Sequence, residues 1–244
     1  MDRLKKLNGI LPLFKPSGIT SADALEQLKK ELQRLAGLKK PLNHKQLSKL
    51  LKVGHGGTLD PMATGVLVVG LGSGCKQLQE CLSGGKGYRL KARFGAHYDT
   101  YDSTGKVLEE KAFDNVNEAL LRAAMKKFTG EIMQRPPAFS AVHVQGKRAY
   151  ELARSGESVE LPAKPVRIDS FELVSYSAEG GDWEAEVMCG GGTYIRSLIV
   201  DVAAALGTVA YMTELTRTQQ GPFTLEHCLK LNALDLEVIE KSLK

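Results

Sequence analysis

Residues 88–94 alternate without a break: Tyr88, Leu90, Ala92 and Phe94 fall on one side, Arg89, Lys91 and Arg93 on the other. Side chains along a strand point to opposite faces in turn. The pattern therefore predicts a half-buried strand with a basic outer face and the Tyr88 ring turned inward. Runs at 166–176 and 183–189 flank the turn Glu179-Gly180-Gly181-Asp182 and predict a hairpin. Residues 66–69 read as a buried strand and 211–216 as a last one. Short strands are expected around 136–144, before a turn at Gln145-Gly146. Hairpins outnumber strand–helix–strand units, which predicts an α+β protein with a mainly antiparallel mixed central sheet flanked by helices.

The helices announce themselves by their ends. Thr20-Ser21-Ala22-Asp23 has the character of a capping box, Thr20 as cap and Asp23 reaching back. Leu25, Leu28, Leu32 and Leu35 follow at helical spacing, and Gly37 supplies the stop. The Lys-rich stretch 38–52 reads as a basic surface insert anchored by Leu47, Leu50 and Leu51. Further helices are expected at 75–82, 118–128 and, briefly, 149–154. Another follows Gly190-Gly191-Gly192, carrying Ile195, Leu198, Ile199, Val202 and Leu206, and ends at Gly207.

At 244 residues the chain can bury a substantial core, and it is read as a single domain, 1–244. No apolar run approaches the roughly 20 residues needed to cross a bilayer, and the opening MDRLKKLNGI lacks a secretory apolar stretch. Cys75, Cys81, Cys189 and Cys228 show no metal-ligand spacing, and are read as reduced thiols of an intracellular protein. The five histidines are equally scattered, so no metal is expected.

Charge is distributed unevenly. Residues 1–52 carry 12 Lys+Arg against 4 Asp+Glu, a balance of +8 within a net charge of +5; the remainder is thus −3. A basic end on a near-neutral body suits a protein that meets a polyanion, although a solvated Lys-rich helix face gives the same numbers.

Glycine clusters first suggest phosphate binding. No Gly-x-x-x-x-Gly-Lys loop is present, and Gly70-Leu71-Gly72-Ser73-Gly74 lacks the full dinucleotide frame. Gly190–Gly192 precedes a helix, where such a run more often serves a tight turn than a phosphate. The turn Gly54-His55-Gly56-Gly57-Thr58-Leu59-Asp60-Pro61 differs, because it holds a carboxylate. Glycines permit close approach of a ligand, and an Asp fixed there could serve as a nucleophile or base. On residue types alone, a turn Asp bonding its own backbone is the commoner case.

Residues 54–76, GHGGTLDPMATGVLVVGLGSGCK, resemble the catalytic motif of TruB-type tRNA pseudouridine synthases. Further matches follow in order: KPSGITS at 15–21, KGYR at 86–89, the loop RPPAFSAVHVQGKRAYELARSGE at 135–157, GGTYIRSL at 191–198 and ELTR at 214–217. Each motif is weak alone, but six in order are specific. The resemblance implies a pseudouridine synthase fold and a cofactor-independent isomerase acting on uridine 55 in the T-loop of tRNA.

It also implies roles. Asp60 is the catalytic aspartate, attacking base or sugar or stabilising a sugar cation. Tyr88 lies against the uracil, where a core tyrosine is the plainer alternative. Arg196 pairs with Asp60 and keeps it ionised. It falls in a helix first turn, an unfavourable place for a cation, which makes a functional reason credible. Leu215 forms an apolar wall, and His55 meets the RNA around the displaced base. Lys15 and Pro16 brace the site.

The grip on RNA is assigned to Lys86, to Lys147, Arg148 and Arg154 in a loop of about 135–161, and to Lys29, Lys30, Lys39, Lys40 and Lys45. The partner implied is the T-arm of tRNA, with no membrane, no obligate protein partner and a monomeric state. Three departures stand out. Only 27 residues follow Arg217, too few for the C-terminal PUA domain of many relatives. His143 replaces a usual Lys. The insert and the wording GHGGTLDP resemble eukaryotic members, which leaves nucleus, cytosol and mitochondrion open. The rival from another class is a tRNA-binding or folding factor, which would not require Asp60, Tyr88 and Arg196 together; the same chemistry on messenger or other RNA is a second.

Overall fold

A computed structural model describes residues 2–243. The chain forms two compact units, residues 1–87 with 216–244, and residues 88–215. The first opens with α1 (Asp2–Lys6), β1 (Gly9–Lys15), α2 (Ser21–Leu35) and α3 (His44–Leu50). Then come β2 (Val53–His55), β3 (Thr64–Leu71), a 3-10 turn (Gly72–Gln77) and α4 (Leu78–Ser83). Strand β4 (Lys86–Phe94) leads into the second unit. That unit contains β5 (Ala96–Tyr98), β6 (Val107–Glu110), α5 (Glu118–Lys127), β7 (Gly130–Gln134), β8 (His143–Val144), β9 (Lys147–Arg148) and α6 (Ala149–Arg154). It continues with β10 (Lys164–Tyr176), β11 (Asp182–Cys189) and α7 (Ile195–Ala205). Strand β12 (Ala210–Gln220) returns the chain to the first unit, followed by β13 (Phe223–Thr224), β14 (Leu229–Lys230) and α8 (Leu236–Ser242).

In the first unit the strands order β14-β1-β3-β12, with β2 on β3 and β13 on β12. β1 and β3 run antiparallel from Gly9↔Leu71 to Lys15↔Gly65, while β3 and β12 are parallel through Thr216↔Thr64. Both faces of this pair are covered. Leu11, Leu13, Leu67, Val69 and Leu71 pack under α2, α3 and α8; Ile10, Val66 and Val68 pack with Phe223 on the other side. A strand buried on both faces reads as a continuous apolar run. Hence β3 is legible as a buried strand, whereas β1, interrupted by Pro12, gives no alternation to read.

In the second unit the order is β12-β4-β11-β10-β7. β4 buries Tyr88, Leu90, Ala92 and Phe94 as its alternation requires. Phe94 stacks on Trp183 at 5.8 Å between ring centroids. The basic outer face is present but occupied: Arg89 pairs with Glu184, Lys91 with Glu214 at 3.0 Å and Arg93 with Asp182 at 2.7 Å. The expected hairpin is β10–β11, closed by the Ser177 amide on the Asp182 carbonyl at 2.8 Å, with Gly181 at φ +67°.

The α+β reading holds, with mostly antiparallel pairing. One expectation is corrected: 136–144 is not a strand apart from the two residues of β8. Pro136 and Pro137 lack amide donors for a ladder, and the regular strand, β7, comes earlier. The Gln145-Gly146 turn stands, at φ +49° and +86°. The basic insert carries its own helix, α3, capped by Asn43 and Gln46 and anchored by Leu47. Among the described residues, no helix is long and apolar enough to cross a membrane.

Candidate active site

Asp60 sits half-buried in the connection from β2 to β3, and every neighbour of it in sequence is held. On one side stands the 15–21 motif. Ser21, the first residue of α2, accepts from the Leu59 amide at 2.9 Å and donates back to the Leu59 carbonyl at 3.2 Å. Ser17 Oγ donates to the Met62 carbonyl at 2.9 Å. The Gly18 amide and the Lys15 ammonium both reach the Pro61 carbonyl, at 2.9 and 3.1 Å. Lys15 also donates to the carbonyls of Pro16 and Ile19, at 2.8 and 2.6 Å. It is fully buried, and burial pushes its amine down to about 8, with the Asp60 carboxylate opposing that shift. The brace expected of Lys15 is therefore present, and it acts on the Asp60 turn itself.

On the other side stands β12. Arg217, 1% exposed, donates to the carbonyls of Val66 at 2.7 Å, Gly57 at 3.1 Å and Thr58 at 3.4 Å. Gln220 Nε2 donates to the Gly56 carbonyl and, at 3.1 Å, to that of Cys81. Room for this approach comes from glycine. Gly57 lies at φ +146°, and a Cβ on Gly65 (φ +109°) would stand 2.2 Å from the Arg217 carbonyl oxygen. His55 lies at the root of the turn. Its Nδ1 is buried with no hydrogen-bond partner, and burial, together with Arg217, holds its imidazole below the ordinary range.

In the second unit, Tyr88 is 7% and Leu215 6% exposed. Arg196, 4% exposed, lies in the first turn of α7, as read from the sequence. It donates to the Thr100 carbonyl at 2.8 Å and to the Phe139 carbonyl of the 135–161 loop at 3.0 Å. Its Nε faces Asp102 Oδ2 at 4.0 Å. Asp102 is a residue the sequence reading missed. Its other oxygen accepts from Thr104 Oγ1 at 2.6 Å, the Thr104 amide at 3.0 Å and Thr100 Oγ1 at 2.9 Å. One oxygen is thus saturated locally and the other is left toward the guanidinium. Tyr101, between them, takes the left-handed φ of +64° that puts the Thr100 carbonyl and the Asp102 carboxylate on one cation.

The residues expected to grip RNA fare unevenly. Lys86 is buried, and its ammonium donates to the carbonyls of Leu82 and Gly84, each at 2.8 Å, and Cys81 at 3.3 Å. It closes the end of α4. Lys29 is bonded to Glu26 at 2.8 Å. Arg148 is turned onto the Ala141 carbonyl and His143 Nδ1, and Arg154 lies over the Tyr150 ring at 5.4 Å. Lys30, Lys39, Lys40, Lys45 and Lys147 are exposed. Among the described residues, no group of three or more His, Cys, Asp or Glu is arranged to hold a metal ion.

Residues 44–195 match the TruB family pseudouridylate synthase N-terminal domain, and 196–243 the tRNA pseudouridylate synthase B C-terminal domain. The chain belongs to the TruB family of pseudouridylate synthases. It is an isomerase with the pseudouridine synthase fold. It is 45% identical to the Pseudouridylate synthase TRUB1 of Mus musculus over 244 residues, 99% of this chain and 72% of that protein. It is 40% identical to the tRNA pseudouridine synthase B of Corynebacterium efficiens over 226 residues, 92% of this chain and 71% of that one. Among solved structures, a chain of a Cbf5-Nop10-Gar1 complex superposes with a TM-score of 0.68 at 28% identity, over 98% of this chain. This chain spans 60% of that one.

Proposed function

We propose that this TruB-family chain converts uridine 55 in the T-loop of transfer RNA to pseudouridine, with Asp60 driving the reaction. The N1–C1′ bond breaks, the uracil turns, and C5 bonds to C1′. The proton leaves C5 and N1 gains one, so the formula is unchanged. A uridine stacked in a folded loop must first be extruded, at a cost of a few kcal/mol. Tyr88 packs against the uracil and assists loss of the C5 proton, and Leu215 walls the pocket. Arg196 pairs with Asp60 and orients it, itself aligned by Asp102. His55 meets the RNA around the displaced base. Lys147, Arg148 and Arg154 meet its backbone, the last two on leaving their present partners. Lys86 closes the end of α4.

What carries this reading is the support of Asp60. A carboxylate that must meet a reacting atom gains rate from being held in place beforehand. Here the residues on both sides of it are gripped, Gly57 and Thr58 by the buried Arg217, Pro61 by the buried Lys15. A turn Asp serving only its own backbone needs no such double anchorage. Purified protein is expected to form pseudouridine in an unmodified tRNA transcript, and Asp60→Asn to abolish it. Undiminished product from Asp60→Asn rules out the assignment; binding without product from the wild type favours a folding factor.

A further inference from the structure

The Leu71 end of β3 carries a second cationic feature, at the opposite end of that strand from Thr64 and the Asp60 side. A cavity of about 480 Å³ opens there, lined by Lys5 of α1, Lys49 and Lys52 at the end of the insert helix, and Lys76 of the 3-10 turn. No Asp or Glu lines it. None of the four ammonium groups is in an ion pair or side-chain hydrogen bond among the described residues, in contrast to Lys29, Lys86 and the three cations of β4. The backbone around it is already satisfied: the Ser73 amide donates to Asn8 Oδ1 at 3.0 Å, and the Gly72 amide to the Lys52 carbonyl at 2.8 Å. Gly72 (φ +55°) lets the Asn8 side chain close against this wall, because a Cβ there would stand 2.2 Å from Asn8 Oδ1.

Four like charges brought to one cavity repel each other, an arrangement that a bound polyanion relieves. Lysine ammoniums are strongly hydrated point charges without the fork of Arg, suited to backbone phosphate rather than to reading a base edge. We propose that this pocket takes up backbone phosphates of the bound RNA, with Lys49 and Lys52 of the insert as its principal contacts. The inference rests on the RNA reading above. Strand β3 runs seven residue steps from Thr64, close in sequence to Asp60, to Leu71 beside the pocket, about 23 Å at roughly 3.3 Å per residue. The phosphates held there therefore lie well away from the reacting uridine, so the pocket sets affinity and not the chemical step.

Each phosphate contact contributes about 0.7–0.9 to the slope of log K against log salt. The double variant Lys49→Gln/Lys52→Gln should flatten that slope by about 1.4–1.8 for a full tRNA transcript. Between roughly 50 and 200 mM salt, the wild type would then lose about seven- to twelvefold more affinity than the variant. The rate at saturating tRNA should be unchanged, and Lys49→Arg/Lys52→Arg should restore the wild-type slope. An unchanged slope and KM in the Gln variant overturns the proposal. So does tight binding of inorganic triphosphate, lost in the variant while tRNA binding is kept, which would assign the pocket to a free anion. If the wild type makes no pseudouridine yet the slope flattens as stated, the pocket stands and the activity reading fails.

Discussion

Lys15 holds three carbonyls with one ammonium, and that number matters when the proton leaves. A neutral amine has two N–H donors, so one of Pro16, Ile19 and Pro61 loses its partner. The charge beside Asp60 disappears at the same moment. With the amine pushed down to about 8, both losses fall within an accessible range. Stability moves the other way. The folded-state value lies below the ordinary 10.5, so between about 8 and 10.5 the unfolded chain binds the proton that the folded chain has released. Lys15's own contribution to stability therefore rises with pH across that interval. The expected outcome is a single-turnover rate that falls as pH rises through about 8, without a matching fall in melting temperature. A rate flat to pH about 9.5 would detach Lys15 from catalysis.

At the scale of elements, α2 both covers the core and holds the Asp60 turn. Thr20 caps it, with the Asp23 amide on Thr20 Oγ1 at 3.0 Å and Asp23 Oδ2 on the Thr20 amide at 3.0 Å, and the next residue, Ser21, grips Leu59. Ser21→Ala should cost about 1 kcal/mol in denaturant unfolding, the size of one hydrogen bond. It should lower the rate at saturating tRNA by more than that stability loss explains, leaving tRNA affinity unchanged; a rate equal to wild type would make the Ser21 contact merely structural. This helix was legible because its signals are local: a capping box, four leucines at helical spacing and a Gly stop. The inward face of β4 was legible for the same reason, as period two. Its outward face is basic as read, but the pairing of those cations was not legible, because Glu184, Glu214 and Asp182 lie far along the chain. The bonds of the Lys86 ammonium to three carbonyls at the end of α4 were equally out of reach, since a motif lysine carries no local sign of them. Asp102 gave no signal, since nothing local ties Asp-Ser-Thr-Gly to a guanidinium nearly a hundred residues later.

Taken whole, the molecule separates holding from reacting by charge. Asp60 is the sole acid between Glu31 and Glu80, a stretch that otherwise carries Arg34, Lys39, Lys40, Lys45, Lys49, Lys52 and Lys76. An RNA drawn to that stretch meets one negative charge, at the place assigned to the chemistry. Asp60→Asn removes that charge and keeps the side-chain volume. The long-range attraction for a polyanion can then only hold or strengthen, since exposed lysines act on RNA through screened Coulomb forces. The variant should bind tRNA at least as tightly as the wild type, with the same salt slope, while making no product. Equilibrium binding at several salt concentrations tests this. The slope counts phosphates neutralised by Lys and Arg, and none of those is altered. A tenfold loss of affinity would mean instead that the Asp60 carboxylate holds its turn in shape, so that charge and chemistry are not separable in this chain.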